Sequence, residues 1–273
     1  MNGELKEYID RWGLVTQAPS TVSHNVDYGR SDGGDSLCES ASYLVSLSYR
    51  GIGFTCDGRS QQTLWRAIKH WCVKGVLFRR HPDPWFWYRD WNRGTGDQFQ
   101  NLIIAAGEMR DLKVLTKLFI GWLMRLSFCT NVRPRNIWES RLEHLAKSPR
   151  YKQWEWRYTT PDFRPFFIAI FIRSFAVALG GFGRVLYIFY PLLFLVDTFD
   201  LLVGAFSIKG SPHNYVVKTE LARRHMPTPF SFLARKIYCY KFDPNELMKE
   251  HFSGLNPPLH FEWRPIINSW TKA

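Results

Sequence analysis

Apolar positions recur at helical spacing through the first half of the chain. Leu37, Ala41, Leu44, Val45 and Ser48 fall on one face of a helix over about 35–49. Asp35 is its N-cap, and two glycines before it let the backbone turn. Leu64, Trp65, Ile68, Trp71 and Cys72 predict a second helix over about 60–74, opened by Ser60. Thr95-Gly96-Asp97-Gln98 reads as a capping box, the Thr95 hydroxyl accepting from a first-turn amide while Gln98 reaches back. The helix it opens carries Phe99, Leu102, Ile103, Ala106 and Met109. A fourth, over about 111–128, turns Leu115, Leu118, Phe119, Trp122, Leu123 and Leu126 inward. No strand-like alternation intrudes. The pattern predicts an all-α array of helical hairpins joined by long irregular loops.

The second half is patterned differently. Residues 133–164 are polar and broken by prolines, with one helix near 137–145. Phe, Leu, Ile and Val then dominate 166–206, which reads as two long helices, 166–182 and 185–206, with a glycine turn between them. Each approaches the roughly 20 residues that span a bilayer. The rival reading is a central hairpin buried on nearly all sides of a helical domain. Arg173, Asp197 and Asp200 lie inside these runs, and charge at membrane depth is costly, which favours burial. Buried acids need partners, and Arg173 or Arg184 could supply them. Helices follow near 214–225 and 230–240, and Asp243-Pro244 starts a short one to about 251. The expected organisation is an arm at 1–34, one helical domain over 35–252 around the 166–206 hairpin, and a docked tail at 253–273.

Composition adds a folded, aromatic-rich and basic character. Hydrophobic residues make up 45 % and aromatic ones 16 %, more rings than a core needs, so some line a groove or sit at a membrane interface. The net charge of +12 favours anionic partners such as acidic polysaccharide or lipid headgroups. The basic residues are scattered in pairs, as at Arg79–Arg80, and no nucleic-acid motif accompanies them, so specific nucleic-acid binding is not expected. Five cysteines without a CxxC read as reduced thiols, and the first residues lack a signal-peptide core; a cytoplasmic or other reducing compartment is the expectation.

Candidate chemistry centres on residues 79–99, where Trp85, Phe86, Trp87, Tyr88 and Trp91 are interleaved with Asp83, Asp90, Asp97, His81, Arg89 and Arg93. Prolines and glycines keep most of it out of regular structure, and it reads as one wall of a binding cleft. Rings at Trp85, Trp87 and Trp91 would stack on a flat ligand, with Arg93, His81 and Gln98 binding its polar groups. Asp97, in the first turn of a helix, could face that cleft. Asp35 and Glu39, four apart on another helix, could supply a second carboxylate. Asp197 would form the cleft floor. Helix capping and buried ion pairing explain the same carboxylates without chemistry. The histidines show no ligand spacing. A calcium loop from Asp90 would place Thr95 where glycine is needed and Asn101 where the bidentate glutamate belongs, so no metal or cofactor is expected.

The string NRGTGDQFQNLIIAAGEMRD resembles, over 95–107, the helix start of (α/α)-toroid carbohydrate-active enzymes such as the unsaturated glucuronyl hydrolases. That resemblance implies an incomplete toroid, since the chain is short for six hairpins, and matches Asp97 to the family's inward acid. The expectation is a hydrolase or lyase acting on an anionic saccharide, with Asp97 as acid and Asp35 or Glu39 as its partner. The alternative is a non-enzymatic protein held at a membrane by the 166–206 hairpin.

Overall fold

The computed structural model describes residues 8–9, 13–15, 36–72, 96–123, 166–206, 212–241 and 265–266. Among them the fold is all-α. The helices are α1 (Ser36–Tyr49), α2 (Gln61–Cys72), α3 (Gly96–Glu108), α4 (Leu112–Leu123) and α5 (Phe166–Leu179). A 3₁₀ helix (Gly180–Phe189) runs into α6 (Tyr190–Phe206), followed by α7 (Pro212–Arg224) and α8 (Pro229–Lys241). Two isolated bridges, Ile9 with Val15 and Phe54 with Ser60, are the extended pairings among the described residues. The helices expected near 137–145 and 243–251, the 1–34 arm apart from Tyr8, Ile9, Gly13, Leu14 and Val15, and most of the tail lie outside them.

The core is built on α1, α3 and α5. Leu37, Ala41, Leu44, Val45, Phe99, Leu102, Ile103, Ala106, Phe167 and Phe171 are all buried in one cluster. Phe99 meets Phe167 and Phe171 edge-on at 5.5 and 6.0 Å between centroids, and Phe119 of α4 adds an edge contact to Phe171 at 5.1 Å. Such pairs contribute about 0.5–1.5 kcal/mol each beyond the area they bury. The inward stripe expected for the first helix is therefore present, but α1 is buried all round: Cys38, Glu39, Ser40, Ser42, Tyr43 and Ser46 are buried as well. Small serines let neighbouring helices close on the side a polar stripe would leave wet.

Asp111 caps α4 and ties it to α2. Its carboxylate accepts from the Val114 amide at 3.1 Å, the Trp65 indole at 3.0 Å and the Lys69 ammonium at 2.8 Å.

The 166–206 run differs from its expectation in two ways. First, the chain does not pass from one α-helix through a turn to another. Helix α5 stops at Leu179, Gly180 takes φ +57°, and ten residues of 3₁₀ helix intervene before α6. A Cβ on Gly183 would sit 2.2 Å from the Ala176 carbonyl oxygen, so only glycine lets the 3₁₀ helix fold so closely onto α5. Second, the run is not buried on nearly all sides. Its first part, Phe167 to Ser174, belongs to the core, whereas most large apolar side chains from Phe182 to Leu202 are exposed. Charges inside an apolar run favour burial only until one of them finds a partner, and here a single ion pair satisfies Arg173 and Asp197 together.

Candidate functional site

The two buried residues nominated for chemistry come from packed helices. Glu39 of α1 is 2 % exposed and Gln98 of α3 is fully buried. The seam between these helices is polar: the Asn101 side-chain amide donates to the Cys38 sulfur at 2.9 Å, and the Ser40 hydroxyl accepts from the Val15 amide at 2.8 Å. Cys38 and Cys56 are reduced thiols. Asp97 stands in the first turn of α3 by its backbone, and its side chain lies outside the described residues. So do Asp35, His81, Trp85, Trp87, Trp91 and Arg93, and with them the Thr95 end of the capping box. Among the described residues no cluster of His, Cys, Asp and Glu stands close enough to hold a metal.

Asp197 sits elsewhere, in an ion-pair clamp. The Arg173 guanidinium donates to both of its carboxylate oxygens, at 2.9 and 2.6 Å, in a bidentate fork. The same side chain donates to the backbone oxygens of His225 at 3.1 Å and Met226 at 3.3 Å. The Thr228 hydroxyl donates to Asp197 at 2.5 Å, and the Tyr190 hydroxyl to the Pro227 oxygen at 3.1 Å. The clamp thus joins α5, α6 and the turn between α7 and α8, where Met226 holds φ +53°. Beside it lies a recess of about 30 Å³ lined by Arg173, Asp197, Lys218, Thr219, Ser231 and apolar neighbours. That is room for a water molecule and none for a sugar ring. Sequence reasoning offered Arg173 or Arg184 as the partner of Asp197; Arg173 takes the role, and Arg184 is exposed on the 3₁₀ helix. Nothing local could have nominated Thr228 or the 225–226 carbonyls, which lie 28 or more residues along the chain from Asp197.

A second charged cluster closes the far ends of α1, α3 and α7. Glu220, 1 % exposed, accepts from Arg223 at 3.0 and 2.6 Å and from Arg224 at 2.7 Å. Arg224 also donates to the Tyr49 backbone oxygen and lies 4.5 Å from the centre of its ring. Burial alone would push the Glu220 carboxyl up; the hydrogen bonds and charges of Arg223 and Arg224 together outweigh it and hold it below its ordinary 4.5. Burial would likewise raise Asp111, and hydrogen bonds from Lys69, Trp65 and Val114 hold it below 3.8. Burial, then the charges of Glu108 and Glu220, push the Tyr49 phenol well above 10.0 and keep it neutral.

Because both carboxyls are lowered on folding, the stability they contribute is present above their ordinary values of 4.5 and 3.8 and is lost as pH falls through the folded values. The urea midpoint should therefore hold steady near neutrality and fall from about pH 4.5 downward, with Glu220→Gln reducing that fall. A midpoint that rose on acidification would contradict this.

The remaining feature is a surface. In the 3₁₀ helix Phe182, Val185 and Ile188 are 83, 74 and 76 % exposed. They are three apart, and at three residues per turn they eclipse one another on one face. Gly183 is buried and Leu186 half-buried against α5, while Arg184 and Tyr187 flank the outer row. The row continues along α6 through Leu192, Leu195, Phe199 and Leu202, spaced by three and four. On the adjacent face of α6, Leu193 and Val196 pack with Ala169 and Met226. Phe232 and Leu233 of α8 are exposed too, and α8 packs against α6 through Phe230, whose ring meets Phe194 at 4.8 Å. The alternation of row and packed side was written in the sequence, but an apolar run offers no polar face to say which side looks out. No protein-family model, curated protein or solved structure matches this chain.

Proposed function

We propose that this chain is a membrane-associated helical protein, docked through the apolar surface of its 3₁₀ helix and α6. One observation carries the reading. Among the described residues, Phe167–Phe199 is the one stretch long and apolar enough to cross a membrane, and only 17 % of the window that meets that test is buried. A core helix of the same composition would be mostly covered. Contiguous apolar surface of this extent, rimmed by polar residues, marks an interaction site in a folded protein. The aromatic excess and the net charge of +12 suit the boundary between acyl chains and anionic headgroups.

The saccharide reading has less to stand on. It needs carboxylates gathered around an open cleft, yet Glu39 is buried between helices and Asp197 is committed to Arg173 beside a water-sized recess.

Flotation decides between them. Full-length protein mixed with vesicles of zwitterionic and anionic lipid should rise with the lipid in a density gradient. A monodisperse protein that stays at the bottom with every lipid composition would remove the proposal.

A further inference from the structure

We infer that the apolar row seats in a single leaflet of an anionic bilayer, with the 3₁₀ helix and α6 in the membrane plane, and that this segment does not cross. This rests on the membrane reading above and specifies its geometry.

Three observations argue against a span through the described hairpin. A lone spanning hairpin would meet lipid on nearly all sides, but Phe167, Ile170 and Phe171 of α5 are buried against the helical body, with Phe99 and Phe119 at their rings. The hairpin is also closed: Gly183 lies on Ala176, and Asp197 returns to Arg173. Helix α6 follows the 3₁₀ helix without a break and continues its outer row. Its exposure is moreover one-sided, since Leu193 and Val196 pack inward. One lipid-facing row and one protein-facing row describe a helix lying in the interface.

Charge selects the occupant. Arg184 flanks the row and is exposed, and Lys236 is exposed on α8 next to α6. Long basic side chains at the edge of an inserted surface reach up to headgroups, and anionic lipid rewards them. The excess of twelve positive charges over the chain points the same way.

The test uses the full chain carrying a polarity-sensitive fluorophore on a genetically encoded azide at Ile188 or, as a control, at Arg66 on the exposed side of α2. Vesicles carry a nitroxide quencher at a shallow or a deep acyl position. The Ile188 probe should be quenched more by the shallow label, and the Arg66 probe by neither. Adding anionic lipid should tighten binding about tenfold or more, and Arg184→Gln should remove part of that gain. Stronger quenching by the deep label, or access to the Ile188 probe from the vesicle lumen, would overturn single-leaflet seating while leaving membrane association intact. Equal binding to neutral vesicles would overturn the choice of lipid. Absence of binding to any vesicle would remove the membrane reading itself, and a lipid-independent dimer shielding Ile188 would assign the row to a second copy.

Discussion

Asp197→Ala is expected to destabilise the fold by about 3–5 kcal/mol, a large part of the roughly 5–15 kcal/mol that holds an ordinary domain together. The reason is what remains behind. The Arg173 side chain is 4 % exposed, and without Asp197 its guanidinium keeps, among the described residues, only the His225 and Met226 carbonyls as partners. A buried cation with half its hydrogen bonds unmade costs far more than the intact pair contributes, because desolvation was already spent when the pair formed. The Thr228 hydroxyl loses its acceptor in the same step. The double variant Arg173→Met/Asp197→Leu removes both charges and should recover most of the loss, which Asp197→Ala alone cannot. Urea midpoints at constant slope measure all three proteins. If Asp197→Ala costs under about 1 kcal/mol, the pair is solvated and does not tie the hairpin to the α7–α8 turn.

That clamp also marks where the sequence stops being informative. The helices α1 to α4 were legible because apolar residues three and four apart have one economical solution, and Leu64, Trp65, Ile68, Leu115 and Leu118 are buried as their spacing requires. The full burial of α1 was not, because Ser40, Ser42 and Ser46 count as polar in any pattern yet are small enough to sit between helices. The 3₁₀ helix was hidden for a different reason. Glycines at 180, 181 and 183 announce a break, but three and 3.6 residues per turn cannot be told apart over ten apolar residues. Arg184 and Arg173 looked equivalent as partners for Asp197; the positive φ at Gly180 and the contact at Gly183 choose Arg173 by reversing the chain. Of the proposed site residues, only Glu39, Gln98 and Asp197 have described side chains, and they occupy a helix seam and an ion pair.

Replacing Val185, Ile188 and Leu195 together by aspartate should weaken vesicle binding about a thousandfold or more while leaving the fold intact. The size follows from transfer energies. Burying a Val, Leu, Ile or Phe side chain in an apolar phase is worth about 1.5–3 kcal/mol, so the seven residues of the row supply on the order of 10 kcal/mol before association costs. Three substitutions remove nearly half of that, and each new carboxylate must either stay hydrated or enter lipid at further cost. Some 4 kcal/mol is about a thousandfold in affinity. Folding is spared because all three side chains already face solvent, and exposed substitutions of this kind usually shift stability by no more than about 0.5 kcal/mol. Circular dichroism and the urea midpoint verify that condition, and titration with anionic vesicles reads the affinity. A folded triple variant that binds lipid as tightly as the parent would move the contact to another face of the protein. One that also became more soluble without losing any lipid affinity would mean that the row is an aggregation surface and not a docking one.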